Sequence, residues 1–402
     1  MTQRRLRLGI AGMGRAFSLM LPTFSRHPLI EVVAGADGRA EARAQFSRDF
    51  SAKAYGDVAA LCADPAVEVV YISTSHQCHA EHVCMAAVHG KHVLVEKPMA
   101  LTLQDCRAMI DAVGRAGVHM IIGHSHSFNG PIRRTRELVA GGDYGALRMI
   151  SAINYTDFLY RPRRPEELST AQGGGVLFNQ APHHVDVLRW IGGGRVRSVR
   201  AATGNWDPQR PTEGAYSALL TFEDGVFASL TYSGYAHFDS DALCDWIGES
   251  GRPKDPAGYG AARSALARAR TADDEFNLKS ALNYGGEHYR APPADDAARV
   301  HQHFGMMVVS CDRADLRPTP KGVAIYDDAA SRFEPLPPPD VPRSEVIAEL
   351  YDTVVLNRPP LHDGAWGLAT MEVCLAMLQS AREQREILLA HQVAVPNPMV
   401  SP

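Results

Sequence analysis

Short apolar runs rich in β-branched residues alternate with helix-like stretches through the first quarter of the chain. One helix start is well marked, because Thr102 and Asp105 have the spacing of a capping box ahead of the apolar periodicity of 104–116. The alternation of strand-like and helix-like segments at this spacing predicts βαβ units, and therefore a parallel sheet covered by helices on both faces. The predicted strands are 7–11, 31–36, 67–74, 92–96 and 118–123.

The pattern changes after about residue 123. Strand-like runs now follow one another, and Asp224-Gly225 between two of them is a strong signal for a hairpin. These neighbours predict an α+β domain with a mostly antiparallel sheet, so we expect an α/β domain over 1–124 and the α+β domain over 125–402. The predicted strands of the second domain are 148–157, 195–204, 215–223, 226–234, 304–311 and 323–327.

Two further stretches complete this outline. Residues 250–300 are rich in Gly, Pro, Ala and charged side chains, and we expect an insertion there with one helix at 261–272. After a proline-rich connector, 344–356 and 366–388 have the apolar spacing of helices that pack on the domains already formed.

Composition and charge narrow the classes of function. The chain has 402 residues, of which 45% are hydrophobic, enough for more than one core. Its 41 Lys and Arg against 45 Asp and Glu give a net charge of −4, and the basic residues are dispersed, which argues against nucleic acid as a partner.

Seven cysteines without a C-x-x-C pair are typical of reduced thiols in a cytoplasmic protein. Arg7 and Arg15 interrupt the first apolar run, so we expect neither a signal peptide nor a membrane span.

The first predicted strand leads into a glycine-rich turn. Gly12-x-Gly14 stands where the strand meets the first helix, a position at which glycine lets the backbone approach a pyrophosphate held by a helix N-terminus. Phe17 replaces the third glycine of a G-x-G-x-x-G fingerprint, and a merely tight turn would also explain the glycines. The candidate cofactor-binding residues of this turn are Gly9, Gly12, Met13, Gly14, Arg15 and Ala16.

Asp37 strengthens this interpretation. It ends the second predicted strand, where a carboxylate can accept hydrogen bonds from both ribose hydroxyls of an adenosine. Its negative charge disfavours a 2′-phosphate, although the neighbouring Arg39 could soften the repulsion. The expected cofactor is therefore NAD, with NADP as the alternative.

Lys97 follows the fourth predicted strand. Glu96-Lys97-Pro98 lies at the carboxyl edge of the parallel sheet, where open α/β sheets bind their ligands. An amine at this edge can hydrogen-bond a substrate hydroxyl. The alternative is a surface lysine that pairs with Glu96.

A second candidate for proton transfer lies in the run 173–192. If this run is one helix, Asn179, His183 and Asp186 share one face at i, i+4 and i+7, which puts an imidazole between two polar partners. A histidine oriented in this way can take the proton that stays on oxygen when a carbinol loses hydride. Pro182 would kink such a helix or mark its first turn, and His183 could instead be a core or capping histidine.

Together these motifs resemble the glucose-fructose oxidoreductase / inositol dehydrogenase / rhizopine-catabolism (Gfo/Idh/MocA) family over nearly the whole chain. The resemblance implies a Rossmann domain, a second domain with an open, mostly antiparallel sheet, a nicotinamide cofactor, and homodimers or homotetramers formed through that sheet. It also implies that Lys97 is the active-site lysine and His183 the general acid/base. The further cofactor-binding residues that it implies are Thr74, His79, Glu96 and Lys97.

The chain departs from the family pattern four residues before the histidine. The family commonly has Asp there, whereas Asn179 can orient the His183 ring but supplies no negative charge to stabilise an imidazolium. More of the proton handling would then fall to Lys97, and a sugar dehydrogenase is less expected.

A closer resemblance is to the phthalate-pathway branch of the family, the 4,5-dihydroxyphthalate (phthalate 4,5-cis-dihydrodiol) dehydrogenases. Residues 123–129, residues 155–168 and the insertion carry it. A dicarboxylate substrate needs fixed cations, and three arginines precede the run with His183, although they could also form a solvated loop with Glu166 and Glu167. The candidate substrate-binding residues are His126, Tyr160, Arg161, Arg163, Arg164 and His184, with His124 as a further candidate.

Three functions stay open, each with a small molecule as the partner. The first is NAD-dependent oxidation of an aromatic cis-dihydrodiol such as 4,5-dihydro-4,5-dihydroxyphthalate, which rearomatisation would favour. The second is a sugar or cyclitol dehydrogenase, and the third is a dinucleotide-binding sensor, which would not need Lys97 and His183. No metal is expected, because no carboxylate or cysteine stands at ligand spacing from His301 and His303.

Overall fold

The computed structural model describes residues 4–123, 125–235, 237–269, 271–291 and 299–395. Its strands are β1 (Leu6–Ala11), β2 (Ile30–Ala36), β3 (Lys53–Tyr55), β4 (Val69–Ile72), β5 (His92–Val95), β6 (Met120–Ile122), β7 (Leu147–Tyr155), β8 (Val196–Gly204), β9 (Ala215–Phe222), β10 (Phe227–Ser233), β11 (Met306–Cys311), β12 (Ala314–Thr319), β13 (Gly322–Asp327), β14 (Ser331–Pro335) and β15 (Ile387–Leu388). Its α-helices are α1 (Arg15–Arg26), α2 (Ala40–Phe50), α3 (Val58–Ala63), α4 (His79–Val88), α5 (Leu103–Ala116), α6 (Gly130–Gly141), α7 (Gly175–Asn179), α8 (Ala181–Ile191), α9 (Ala261–Leu266), α10 (Ala272–Leu282), α11 (Ser344–Leu356) and α12 (Gly364–Glu383).

The first six strands form a parallel sheet in the order β3-β2-β1-β4-β5-β6. All four residues of β4 are buried, as expected for a central strand covered on both faces. The strand order reverses between β1 and β4, so the carboxyl ends of these strands form the crevice at which such sheets bind ligands. The predicted Rossmann-type domain is confirmed, and only the short strand β3 is additional.

The other nine strands form the sheet β14-β13-β12-β11-β7-β10-β9-β8-β15. Its pairs are antiparallel except β7 with β10, so the predicted mostly antiparallel sheet is confirmed. The predicted hairpin joins β9 to β10, where Gly225 has a φ of 90° that favours glycine. Burial alternates along these strands: Leu220 is buried, whereas Leu219 and Phe227 lie on an exposed face. One face of the sheet is therefore open.

The last predicted helix is shorter than expected. It ends at Glu383, because Gln384 takes the left-handed conformation with a φ of 53°. Residues Ile387–Leu388 then pair with β8 as the edge strand β15. The strands β12 and β14 are further additions to the predicted sheet.

The chain divides into two compact units, and the division differs from the predicted domains. The first unit contains Met1–His124, Thr271–Asp295 and Pro339–Met371. The second contains Ser125–Arg270, Asp296–Pro338 and Glu372–Pro402, so it is not one continuous stretch from 125 to 402. Close packing explains why the start of α12 belongs to the first unit: a Cβ on Gly364 would lie 2.6 Å from Ile110 Cγ1 of α5.

The described part of the insertion contains two α-helices: α9 begins at the predicted residue 261 but ends at 266 instead of 272. Thr271 has an extended backbone and begins a new helix, α10. Its Oγ1 accepts a hydrogen bond from the Asp274 N–H at 3.1 Å, and the Asp274 carboxylate accepts one from the Thr271 N–H at 3.0 Å. This reciprocal capping box separates α10 from α9.

All seven cysteines fall in the described ranges and carry free thiols. Burial raises the pKa of the Cys62 thiol to about 11, so this group stays protonated at neutral pH. Among the described helices, none combines the length and the apolar composition needed to cross a bilayer.

Candidate active site

The turn between β1 and α1 is shaped to receive a phosphate group. Gly12 has a φ of 87°, and a Cβ there would lie 2.8 Å from the Ser73 carbonyl oxygen, so only glycine fits. Gly14 is the N-cap of α1, and a Cβ on it would meet nothing within 4 Å. Arg15 and Ala16 open the helix, and Arg15 is exposed. An open space at a helix N-terminus fits the diphosphate of a dinucleotide.

Gly9 lies before this turn, and its predicted role in cofactor binding stays a prediction. It lies inside β1, and a Cβ there would approach Val67 Cγ1 to 2.9 Å and Leu61 Cδ1 to 3.2 Å. Close packing beneath the sheet accounts for a glycine at this position.

Asp37 lies directly after β2, beside the glycine turn. Its Oδ2 accepts a hydrogen bond from the Met13 N–H at 2.8 Å, and its Oδ1 accepts one from the Arg39 N–H at 2.9 Å. The Arg39 side chain binds the same carboxylate through Nε at 3.1 Å and Nη2 at 3.2 Å. The structure therefore brings Met13, Asp37 and Arg39 together at the edge where an adenosine ribose is expected.

Glu96 and Lys97 follow β5 at the same carboxyl edge of the sheet. The buried Glu96 carboxylate accepts a hydrogen bond from the Tyr71 hydroxyl at 2.7 Å. Burial, with the negative charge of Glu96, raises the pKa of Tyr71 well above its ordinary value, so the phenol stays a donor. Lys97 is half-buried and joins Pro98 through a cis peptide bond. Tyr71 is a partner that the sequence pattern did not reveal, because it lies in an apolar strand.

His79 connects the two loops that hold Thr74 and Lys97. Its ring is fully buried, with Nδ1 2.9 Å from the Pro98 carbonyl oxygen and Nε2 3.2 Å from that of Thr74. Burial lowers the pKa of His79 to about 4, although these carbonyls oppose the shift, so the ring is neutral. The Thr74 hydroxyl in turn pairs with His82 Nδ1 at 2.9 Å. His79 therefore positions these loops from within the first unit.

The run that carries His183 is two helices instead of one. The backbone breaks at Gln180, and Pro182 occupies the first turn of α8, where its missing N–H is tolerated. Asn179 ends α7, and its Nδ2 donates to the Gly175 carbonyl at 2.8 Å. The prediction that Asn179, His183 and Asp186 share one helical face is therefore wrong.

The contacts around His183 come from other parts of the second unit. Its ring centroid lies 4.9 Å from that of His126 in a T-shaped arrangement and 5.3 Å from that of Phe304. Asp186 is buried on the same helix, and its Oδ2 accepts a hydrogen bond from the Ser125 hydroxyl at 2.5 Å. Asp186 thus joins α8 to the segment that leads into His126.

His126 has a defined tautomer. The Asn129 amide Nδ2 donates to His126 Nδ1 at 3.0 Å and to the Gln302 carbonyl at 2.9 Å. Because Nδ1 accepts, the neutral ring carries its proton on Nε2. Asn129 is a positioning residue that the sequence motifs did not single out. His124 lies outside the described residues.

His184 is a core residue of the second unit. Its side chain has no exposed surface, and its Nδ1 lies 3.1 Å from the Tyr216 hydroxyl. Burial lowers the pKa of His184 to about 3, so the ring is neutral. Its fully buried position does not support the predicted contact with substrate.

The three arginines before α7 each have a partner within the second unit. Arg161 Nε donates to Asp157 Oδ1 at 2.9 Å, and Arg164 Nε lies 3.1 Å from Glu166 Oε1. The Arg163 guanidinium stacks on the Phe158 ring at 3.6 Å, and burial lowers its pKa to about 10. For Arg164 the structure therefore agrees with the alternative expectation, in which the loop arginines pair with neighbouring glutamates instead of a substrate. The Arg161 side chain stays 45% exposed.

Tyr160 lines a cavity of about 420 Å³ in the second unit. The Arg263 guanidinium from the insertion lies 4.0 Å from the centre of the Tyr160 ring. The lining residues are Tyr155, Tyr160, Trp206, Asp207, Pro208, Ser233, Tyr235, His237 and Phe238.

Among the described residues, no group of three or more His, Cys, Asp or Glu side chains could hold a metal ion.

Two family models match this chain. Residues 6–124 match the oxidoreductase family with an NAD-binding Rossmann fold, and residues 132–253 match the GFO/IDH/MocA C-terminal domain. A Bordetella pertussis WlbA dehydrogenase, solved with NADH and UDP-GlcNAcA, has a TM-score of 0.67 over 96% of this chain and 99% of its own. At 19% identity it shows the shared fold.

Other relatives are more similar in sequence. The 1-carboxy-3-chloro-3,4-dihydroxycyclohexa-1,5-diene dehydrogenase of Comamonas testosteroni is 46% identical over 94% of this chain and 96% of its own. The trans-1,2-dihydrobenzene-1,2-diol dehydrogenase of Mus musculus is 31% identical over 57% of this chain and 68% of its own. A crystal structure from Bordetella bronchiseptica RB50 is 41% identical, with a TM-score of 0.89 over 96% of this chain and 100% of its own. The chain therefore belongs to the Gfo/Idh/MocA family of NAD-dependent oxidoreductases.

Proposed function

We propose that this enzyme dehydrogenates a carboxylated cyclohexadiene cis-diol, with 4,5-dihydro-4,5-dihydroxyphthalate as the first candidate. The observation that carries the proposal is the 46% identity, over 94% of the chain, to the Comamonas testosteroni dehydrogenase. That relative is named for a cyclohexadiene ring with one carboxyl group, two hydroxyl groups and a chlorine on one of the hydroxyl-bearing carbons. The phthalate dihydrodiol is also a cyclohexadiene diol, with a second carboxyl group and without the chlorine.

The reaction requires hydride and a proton to leave the same carbinol. Bound NAD would take the hydride, with both electrons of the C–H bond, at its nicotinamide ring. We propose that His183 or Lys97 accepts the hydroxyl proton, which leaves a ketone. The resulting hydroxyketone is a tautomer of a catechol, and rearomatisation makes the oxidation favourable.

We propose that Arg161 contributes most to binding the substrate carboxylate. Its side chain is 45% exposed, whereas Arg164 is paired with Glu166 and the Arg163 guanidinium is stacked on Phe158. A planar guanidinium can bind a carboxylate through two parallel hydrogen bonds. The substrate would compete for this guanidinium with Asp157 and with Glu249, whose Oε2 lies 4.0 Å from Arg161 Nη1. Tyr160 and His126 remain further candidates for substrate contact.

A substrate panel tests the proposal. We expect kcat/KM for carboxylated cyclohexadiene cis-diols to exceed that for a non-carboxylated cis-dihydrodiol by about 10–100-fold. This ratio corresponds to the free energy that one or two charge-assisted hydrogen bonds to the carboxylate would contribute. The measurement is NADH formation with the phthalate dihydrodiol, a monocarboxylated diol, a non-carboxylated diol, myo-inositol and glucose. Arg161→Gln should remove most of the preference, and Arg164→Gln is the matched control.

Other results on this panel would contradict the proposal. Turnover of myo-inositol or glucose alone would assign the enzyme to the sugar and cyclitol dehydrogenases, which include relatives such as the inositol 2-dehydrogenase 3 of Saccharopolyspora erythraea. Tight NAD binding with no turnover of any member would favour a dinucleotide-binding sensor.

We also propose that two or four copies assemble through the open face of the second sheet. Leu219 is 45% exposed and Phe227 is 43% exposed on that face, among hydroxyl side chains such as Ser217 and Thr231. Light scattering should give two or four times the mass of the chain. Phe227→Glu should lower this mass to that of a monomer, whereas Phe276→Glu, which changes an exposed residue of α10, should not. A monomeric wild-type protein would contradict the assembly.

We further propose that the enzyme works in the cytoplasm. Its seven free cysteines include buried thiols such as Cys62, and thiols persist in a reducing compartment.

A further inference from the structure

Part of the insertion contacts the dinucleotide-binding residues of the first unit. This part, segment 271–291, consists of α10 and the turn that follows it. Tyr284 in the turn is fully buried. The centroid of its ring lies 4.9 Å from that of the Phe17 ring in a T-shaped arrangement, and its hydroxyl donates to Asp49 Oδ2 at 2.5 Å. Phe17 occupies the third position of the glycine fingerprint. A large aromatic side chain at that position therefore gives the segment a surface to pack on.

The backbone after Tyr284 approaches α2 closely. Gly285 has a φ of 78°, which favours glycine, and a Cβ there would lie 2.7 Å from the Ala42 Cα and 2.8 Å from the Ala42 nitrogen. A side chain at position 285 would force the turn away from the Ala42 backbone. The turn is therefore held at one distance from the start of α2.

This position lets the segment bind Arg39. The Tyr284 carbonyl accepts a hydrogen bond from Arg39 Nη1 at 3.2 Å, and the Met13 carbonyl accepts one from Nη2 at 2.9 Å. Arg39 Nε and Nη2 bind Asp37 on the other side. Asp37, Met13 and Tyr284, from three parts of the first unit, thus bind the same guanidinium.

The acceptor capacity of Asp37 is used completely by these neighbours. A carboxylate offers about four lone-pair sites. In Asp37 they face the Met13 N–H, the Arg39 N–H, Arg39 Nε and Arg39 Nη2. Ribose hydroxyls can bind Asp37 by replacing the two side-chain contacts, while Arg39 keeps its bonds to the Tyr284 and Met13 carbonyls. A 2′-phosphate would instead need Arg39 to turn toward it and abandon those carbonyls.

We propose that segment 271–291 is a selectivity element of the dinucleotide site: by fixing Arg39 through the Tyr284 carbonyl, it favours a 2′-hydroxyl over a 2′-phosphate. Tyr284 and Gly285 are positioning residues in this arrangement, since they act through Arg39. The proposal goes beyond the substrate proposed above and does not depend on it.

A second feature of the segment also indicates a ligand nearby. The Tyr289 hydroxyl oxygen is buried and has no hydrogen-bond partner among the described residues. Burial and the charge of Asp49 raise the pKa of Tyr289 to about 12, while the charge of Arg15 at the start of α1 opposes the shift. A buried hydroxyl oxygen without a partner is uncommon unless a ligand or ordered water completes it. The phosphates and hydroxyls of a dinucleotide offer such acceptors.

The test is dinucleotide binding without substrate, measured by titration calorimetry with NAD and NADP. Gly285→Ala should displace the segment and free Arg39, so that the ratio of the NADP Kd to the NAD Kd falls about 10-fold. Gly258→Ala is the matched control in the insertion, because a Cβ on Gly258 meets nothing within 4 Å, and its ratio should equal that of the wild type. Tyr284→Phe, which loses the Asp49 bond, is the milder second variant if Gly285→Ala does not fold.

Repeating Gly285→Ala in an Arg39→Ala background separates this mechanism from general loosening. We expect no further change in the ratio there, because the group that the segment fixes is gone. An unchanged ratio in the folded single variants, or the same change with and without Arg39, would overturn the proposal. Because the readout is binding, failure here is distinct from failure to turn over a carboxylated diol.

Discussion

Replacing Lys97 with alanine is expected to lower kcat by about 10²–10⁴-fold while NAD affinity stays nearly unchanged. Lys97 follows β5 at the carboxyl edge of the parallel sheet, next to Glu96, whose carboxylate is engaged by Tyr71. A lysine amine at this edge can bind the substrate hydroxyl and assist loss of its proton, and alanine can do neither. Steady-state NADH formation gives kcat, and calorimetry with NAD gives the affinity.

Two variants control this experiment. Lys53→Ala removes an exposed lysine from β3 and should leave kcat unchanged. Lys97→Arg keeps the charge but changes its shape and its capacity for proton transfer, so it should recover little activity. Full turnover by Lys97→Ala would remove this lysine from the mechanism. A large loss of NAD affinity would instead give Lys97 a role in holding the cofactor.

His183→Ala should also lower kcat by about 10²–10⁴-fold, again with little change in NAD affinity. His183 is half-buried on α8, and its ring is in contact distance of His126 and Phe304. The Asn179 amide Nδ2 donates to the Gly175 carbonyl within the preceding helix. His89→Ala, which changes an exposed histidine after α4, is the control and should keep wild-type turnover.

The double variant shows whether the two residues share one task. If Lys97 and His183 move the same proton, the loss in Lys97→Ala/His183→Ala should be far smaller than the product of the two single losses. A multiplicative loss would assign them to separate steps. Wild-type turnover by His183→Ala would show that the general acid/base lies elsewhere.

Local signals in the sequence predicted most of the fold. The Thr102 capping interaction begins α5 one residue before the predicted start, with the hydroxyl accepting from the Asp105 N–H at 3.0 Å. The helix predicted at 344–356 is α11, and Asp224-Gly225 forms the expected hairpin. Each of these features depends on residues within a few positions of one another, so a single sequence suffices to find them.

Sequence patterns are less informative where distant residues decide the structure. The glycine at position 9 suits strand packing because Val67 and Leu61 leave no room for a side chain, which a motif cannot reveal. The break at Gln180 depends on how two short helices pack, although Pro182 offered a local warning. The glycine turn and Asp37, which the sequence pattern links, lie together in the structure, where the Met13 N–H donates to Asp37. Side chains that meet across the fold, such as Tyr71 and Glu96, leave no such pattern in the sequence.

The division of the chain has a practical meaning for building hybrid enzymes. A chimera that joins residues 1–124 of this chain to the rest of a relative would separate Tyr284 from Phe17, Asp49 and Arg39. It would also replace the start of α12, which packs against Ile110. Transplanting the nucleotide-binding half as a working module would therefore require three pieces, Met1–His124, Thr271–Asp295 and Pro339–Met371, to be exchanged together.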